Sequence, residues 1–411
     1  MSHKRIATYL PSRQPEATAD VQFETRVPTP TEVAEISRAL KLLSDVQGPP
    51  GVMTTVQDEL TSSLQTFITI QAEKKGRLAT SPSDTLEAKF DERDLLGWAG
   101  SFFTWWRKAI PFDWKTPGAP EEVPDKFRLA LFGDWATGLY GAPKVAESIK
   151  SDRDGYQVVL HLGDTYYSGT NDEMKDRLVK FWPKVAGAKN RSLNGNHEMY
   201  TGGRAYFDAI QPFGQTSSYF AMQNKKWILA SLDTSYNDHD LHGDQGAWVK
   251  ALADASPEKK LVLFSHHQPF SLLDNQGPKL VAKLEALFTA KRIYAWYWGH
   301  EHHCVLYGPH QLYGLRGRCV GHGGFPYDRE KKIFGNNPPA KPTFTRLESR
   351  NLVPFGRVLD GSNPYIEGHE KDYGPHGYMT LEFDDAELFE IVHDADGTRL
   401  WAQPADKDDA S

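Results

Sequence analysis

Cysteine is nearly absent from the sequence. Cys304 and Cys319 are the only two in 411 residues. That excludes a disulfide scaffold and leaves one bridge, between these two, as the only one the chain could form. No stretch of about 18 apolar residues occurs, so no transmembrane segment is expected. Lysine and arginine never gather into a run, so no track for a polyanion exists and no specific nucleic-acid binding is expected. The balance is slightly acidic, with 47 basic and 54 acidic residues and a net charge of -7. This does not exclude a phosphorylated substrate, because bound metal ions reverse the local field. The opening residues, MSHKRIATYLPSRQPEATAD, lack the apolar core of about 7–15 residues that marks a secretory leader. The expectation is a cytoplasmic protein with reduced thiols. Internal repeats and low-complexity tracts are also missing.

What is present suits a globular chain: 39% hydrophobic and 25% charged residues, in a length that exceeds one ordinary core. Residues 1–28 read as a polar tail. Thr29-Pro30-Thr31-Glu32 has the form of a capping box with proline at the first helical position. Val33, Ile36, Leu40 and Leu43 then follow at helical spacing and stop before Gly48-Pro49-Pro50-Gly51. A second helix is expected over about 53–75, and a third over the aromatic stretch Trp98–Trp106. That stretch reads as packing against a neighbouring domain rather than as a membrane-surface helix. Thr116–Pro124, rich in proline and glutamate, reads as a linker. The expected organisation is a tail and helical region over 1–124, of unassigned role, and a second domain over 125–411.

After Asp125 short apolar runs alternate with amphipathic segments. Strands are expected at Arg128–Phe132, Val158–Leu162, Trp227–Leu232, Leu261–Phe264 and Ile293–Trp298. Helices are expected over 142–150, 172–186, 244–254 and 277–290. This alternation predicts a layered α/β fold with mostly buried strands. Tyr378–Phe383, Leu388–Val392 and Arg399–Trp401 read as antiparallel strands that close a sheet.

The chemistry sits at the ends of these runs. Phe132 leads into Gly133-Asp134, Leu162 into Gly163-Asp164-Thr165-Tyr166-Tyr167, and Leu193 into Asn194-Gly195-Asn196-His197-Glu198. Phe264 leads into Ser265-His266-His267, and Trp298 into Gly299-His300-Glu301-His302-His303. Sites in open α/β sheets form outside the carboxyl ends of strands, so these side chains converge. Glycines before several of them let the backbone turn sharply beside the site. Carboxylate, amide, imidazole and phenol donors suit iron, manganese, zinc or cobalt, and argue against a cysteine-rich zinc or iron–sulfur site. One aspartate between two ions can bridge them, and such a pair clamps an in-line phosphoryl displacement.

The order of these five blocks resembles the calcineurin-like metallophosphoesterase superfamily, and two details resemble its purple acid phosphatase branch. Asp134-Trp135-Ala136 has no histidine two residues after the aspartate, and Tyr167 stands three residues after Asp164. The resemblance implies a calcineurin-like β-sandwich flanked by helices, with the N-terminal helical region as an extension. It implies two divalent or trivalent ions, iron with a second iron, zinc or manganese. One would take Asp134, Asp164, Tyr167 and His302; the other Asp164, Asn196, His266 and His300, with Asp164 bridging. A metal-bound hydroxide would attack a small phosphorylated substrate, monoester or diester, and His197 would protonate the leaving group. His266 is preferred over His267 because it directly follows the strand. Arg204, His267 and His322 are candidate substrate contacts. His239 and His242 read as solvated loop residues, and Arg318–Gly324 as a segment at the mouth of the site. Ala136 stands where the purple branch usually has glycine, and the missing leader departs from its many exported members. The alternative is a non-catalytic metal-binding or scaffolding protein that acts through its N-terminal helices. The sequence leaves the natural substrate and the oligomeric state open.

Overall fold

The computed structural model describes residues 29–45, 58–74, 115–237 and 239–407. The aromatic stretch 98–106, the loop at 48–51 and the tail at 1–28 lie outside these residues. Helix α1 spans Pro30–Asp45 and α2 spans Glu59–Lys74. The capping box forms as the sequence predicts. The Glu32 carboxylate accepts from the Thr29 N–H at 2.7 Å, and the Thr29 hydroxyl accepts from the Glu32 N–H. No helix among the described residues is long and apolar enough to cross a membrane.

The strands form two sheets. Strands β1 (Glu121–Glu122), β2 (Lys126–Phe132), β3 (Val158–His161) and β4 (Lys189–Ser192) are followed by β5 (Phe220–Gln223), β6 (Trp227–Ser231), β7 (Lys260–Ser265) and β8 (Ile293–Trp298). Then come β9 (Cys304–Pro309), β10 (Arg316–Val320), β11 (Thr343–Leu347), β12 (Gly356–Asp360), β13 (Gly377–Asp384), β14 (Glu387–Asp394) and β15 (Arg399–Pro404). The nine-stranded sheet runs β1-β5-β6-β7-β8-β10-β9-β12-β11, and the six-stranded sheet runs β15-β14-β13-β2-β3-β4. Strands β2, β3 and β4 are mutually parallel, as are β6, β7, β8 and β10. The last three strands pair antiparallel, and β13 docks antiparallel on β2.

Alternation along β2 shows why both faces are buried. Leu129 and Leu131 enter the core between the sheets with Val262, Phe264 and Tyr297. Ala130 and Phe132 point the other way, onto Val145 and Ile149 of the helix Ala142–Ser151. The outer face of the large sheet is covered by Val249, Leu280 and Leu287 from the helical segments of 245–289. The chain is thus a β-sandwich flanked by helices.

Several elements differ from the sequence reading. The helix expected over 172–186 is a short turn, Asn171–Glu173, that widens into Met174–Val179; Pro183 lacks the N–H needed to carry it on. The helix expected over 277–290 is broken at Leu284 into Pro278–Lys283 and Glu285–Thr289. Strand β1 lies inside the stretch read as a linker, and β4 has no apolar run at all. Both have the same cause: Glu121 of β1 takes Lys189 at 3.2 Å and also Arg191, both of β4, so charge pairing stands in for apolar patterning. Cys304 and Cys319 form no bridge. They occupy adjacent strands on opposite faces of the sheet, Cys304 in the inter-sheet core and Cys319 in the outer core.

A buried ion pair joins the two sheets through the core. Arg318 of β10 grips Glu390 of β14 at 2.9–3.0 Å, the Tyr297 hydroxyl donates to the same carboxylate, and Arg318 also donates to the Tyr307 carbonyl at 2.7 Å. Arg318 therefore belongs to the core and not to the mouth of the site. Removing one partner of such a pair strands a buried charge, which costs about 3–5 kcal/mol. Arg318→Ala is expected to lower the unfolding free energy by that order, and Arg318→Met with Glu390→Leu by much less. Urea unfolding of the three proteins checks this; an unchanged midpoint for Arg318→Ala would remove the pair from the contacts that hold the sheets together.

Candidate metal centre

The candidate ligands lie at one end of the sandwich. Asp134, Asp164 and Asn196 follow β2, β3 and β4 of the small sheet; His266, His300 and His302 follow β7 and β8 of the large one. Asp134, Asp164, Asn196 and His266 are wholly buried, and His300 nearly so. Two groups of donor atoms form, each within 4.8 Å: Asp134, Asp164 and His302, and Asp164, His266 and His300. Asp164 belongs to both. Asn196 joins the second, its Oδ1 standing 3.1 Å from His266 Nε2 and 3.1 Å from His300 Nδ1. The Asn196 amide donates to the Tyr200 hydroxyl at 2.7 Å, which fixes the carbonyl oxygen toward the histidines.

Local backbone aims these groups. Asp134, Asp164, His300 and His302 all hold positive φ, at 53°, 76°, 69° and 56°. That region is uncommon for residues with a side chain and clusters at functional sites. Glycines make the space: a methyl group at Gly195 would strike the Asp164 carboxylate, and one at Gly299 would stand 2.7 Å from Asp134 Oδ2. Glu198 ties two blocks together, accepting from the Gly195 N–H at 2.8 Å, the Asp164 N–H at 3.1 Å and the Thr165 hydroxyl at 2.9 Å.

The electrostatics call for a cation. Burial pushes the Asp134 carboxyl well above the usual range, and Asp164 adds to this. Burial works against Asp164 too, but His266 and His197 hold its carboxylate well below that range. Burial and then Asp164 raise Glu198 to about 7. Burial lowers His302 to about 3 and drives His300 well down, His239 adding to the latter. These two imidazoles are therefore neutral and offer lone pairs. Buried acids beside neutral imidazoles and an amide oxygen are a donor set that fits transition-metal ions.

The structure places the two tyrosines differently from the sequence reading. It is the Tyr166 hydroxyl that stands among the first group, 3.2 Å from Asp134 Oδ1, 3.3 Å from Asp164 Oδ2 and 2.9 Å from His302 Nε2. Tyr167 is directed elsewhere. Its N–H donates to Glu173, its carbonyl meets His197 Nδ1, and its ring lies under Arg177. These backbone bonds fix which ring of the pair turns inward. Spacing from Asp164 alone could not separate neighbouring tyrosines.

The other candidates divide. His197 is buried; its Nδ1 carries the proton that the Tyr167 carbonyl accepts, and its Nε2 lies 3.8 Å from Asp164 Oδ2 with no hydrogen-bond partner. His267 borders the second group, its ring centroid 4.5 Å from that of His300. His322 is buried near His376 and Gly377 and belongs to neither donor group. Arg204 is exposed, at the start of the helix Arg204–Ile210. His242 rests half-buried on Tyr236. His239 is not a solvated residue: its ring packs on His267 and His300. No motif flags it, because a loop histidine carries no periodic signal.

Gly195→Ala is expected to weaken metal binding at least about 10-fold, the scale on which disturbed ligand positioning acts; competition with a chromogenic chelator measures it, and wild-type affinity would count against the crowding. With ferric iron bound, Tyr166→Phe is expected to abolish phenolate charge-transfer colour and Tyr167→Phe to keep it. Absorption spectra decide, and the opposite pattern would return the role to Tyr167.

Residues 127–304 match the family model described as calcineurin-like phosphoesterase. The structure is similar to that of purple acid phosphatase PPD1 from seeds of yellow lupin (Lupinus luteus), with a TM-score of 0.50 at 14% identity over 72% of this chain and 55% of that one. The chain thus spans about half the length of the plant protein. It is also similar to GAP50, the anchor in the inner membrane complex of Plasmodium, with a TM-score of 0.50 at 10% identity over 68% of this chain and 88% of that one. At such identities the likeness is one of fold. No match is found among curated proteins. Residues 127–304, which hold all five strand-end blocks, are thus identified as a calcineurin-like phosphoesterase domain, on a fold similar to that of a purple acid phosphatase.

Proposed function

We propose that the protein hydrolyses phosphate esters, monoesters or diesters, at a centre of two metal ions. The observation that carries this reading is Asp164, whose carboxylate is common to both donor groups. One ion would be held by Asp134, Asp164 and His302 with a tyrosine hydroxyl, the other by Asp164, Asn196, His266 and His300. When bound, two such ions neutralise the phosphate and make a coordinated water acidic near neutral pH.

The chain's own groups do the rest. Burial of the carboxylates and imidazoles excludes bulk water, so each charge acts in a low-dielectric pocket. The Tyr166 oxygen lies 3.2 Å from Asp134 Oδ1 and 3.3 Å from Asp164 Oδ2, so it lines the first donor group beside both carboxylates. His197 is the proton donor. With Nδ1–H anchored on the Tyr167 carbonyl, its protonated Nε2 faces the pocket and can transfer a proton to the departing alkoxide. Burial lowers the His197 pKa, so the protonated acid is populated on the acidic side of its ordinary value.

A second reading, a scaffold without catalysis, has one observation in its favour: the fold likeness to an anchor protein. The filled ligand set and the placement of His197 favour the enzyme. Chromogenic phosphate monoesters and diesters, assayed with iron, manganese and zinc, distinguish the two, and absence of turnover with all three despite bound metal would sink the enzyme reading. In the active protein His197→Asn is expected to lower kcat about 10²–10⁴-fold with metal content unchanged.

A further inference from the structure

A third group of imidazoles adjoins the two donor groups. The ring of His239 lies 3.9 Å from that of His267 and 4.9 Å from that of His300, and His267 lies 4.5 Å from His300, centroid to centroid. One nitrogen from each comes within 4.8 Å of the other two. Ligand atoms around one zinc ion, at about 2.0–2.1 Å from the metal, stand about 3.3 Å apart. The rings need only draw in by about 1 Å or so, and His239 is half-buried on a turn beside the other two.

Three further features suit a metal. His239 holds positive φ at 54°, as do Asp134, Asp164, His300 and His302. His267 is oriented from behind by the Thr234 hydroxyl, 3.0 Å from its Nδ1, the kind of outer hydrogen bond that fixes a ligating imidazole. The loop that carries Thr234 and His239 is itself pinned. Asp233 Oδ1 accepts from the Asn194 amide at 3.0 Å and from the N–H groups of Ser235 and Tyr236 at 2.9 and 3.0 Å.

We propose that His239, His267 and His300 form a third metal position, beside the dinuclear pair. Three nitrogen donors suit zinc, copper or nickel and not magnesium or calcium, which take oxygen. Three protein ligands leave one tetrahedral position open to water or to a substrate oxygen. Joint occupancy uses both nitrogens of His300, whose ring then releases its remaining N–H proton to solvent and bridges as imidazolate: Nδ1 faces Asn196 and His266 at 3.1 and 3.3 Å, and Nε2 serves the third ion. The proposal rests on the dinuclear reading only through this shared histidine.

Zinc counting on the full chain tests it. Protein stripped with a chelator is dialysed against zinc, and metal per chain is measured by mass spectrometry for wild type, His239→Ala and His239→Gln. Three ions are expected in the wild type and two in each variant. A fall of one ion supports the site whatever the total, whereas fewer than two ions left in the variants counts against the dinuclear centre instead. Equal zinc content in all three proteins overturns the third position. Cobalt loading supplies a second measurement: a tetrahedral absorption band present in the wild type and lost in both variants supports the site, and a spectrum unchanged by the substitutions overturns it. Thermal melts by circular dichroism confirm that the variants are folded when counted.

Discussion

The burial of Asp134 and Asp164 side by side is the constraint around which this end of the molecule is arranged. Neither carboxylate reaches water, and both stand within hydrogen-bond distance of the one Tyr166 hydroxyl. Like charges so placed repel strongly in a low-dielectric interior and cannot both ionise without compensation. The histidines supply part of it. His266 is raised to about 9 against the effect of its own burial, by contact with Asp164. Glu198 brings a third acid into the same pocket. A pocket of this kind is stable when cations enter it and costly otherwise, so metal affinity and fold stability are two aspects of one free energy.

That constraint explains the backbone. A carboxylate at the end of a strand is held by the rigidity of the sheet, but it must be turned inward within one residue. Positive φ at Asp134, Asp164, His300 and His302 and the absence of side chains at Gly195 and Gly299 make the turn. The two sheets must also hold their relative position, since three blocks come from one and two from the other. The Arg318–Glu390 pair with Tyr297 lies between them and registers the sheets through charge-assisted hydrogen bonds.

Much of this was legible in the sequence, because β2, β3, β6, β7 and β8 are short apolar runs, and a glycine stands beside the candidate ligand after β2, β3 and β8. The layered α/β sandwich and the donor set around Asp164 follow from those runs. What escaped reading lacks that signal. Strand β4 is polar because Lys189 and Arg191 are matched by Glu121 rather than by apolar neighbours. Tyr166 and Tyr167 are equivalent by composition, and only tertiary bonds through Glu173, Arg177 and His197 decide which ring enters the pocket. His239 lies near in space to His300 but far in sequence. The stretch 1–124 read as separate from the catalytic region, yet α2 touches it. The Thr66 hydroxyl lies 2.9 Å from that of Ser168 and 3.3 Å from Glu173, the carboxylate that also receives the Tyr167 N–H.

The two cysteines occupy the two separate interiors of the sandwich. Cys304 lies between the sheets, Cys319 beneath the helical layer, and burial pushes both thiols up, so neither is nucleophilic in the folded state. Each becomes reactive only when its own layer opens. The chain therefore carries an internal pair of unfolding reporters: alkylation at Cys304 records parting of the sheets, and alkylation at Cys319 records release of the helices, so their relative rates give the order in which the molecule comes apart.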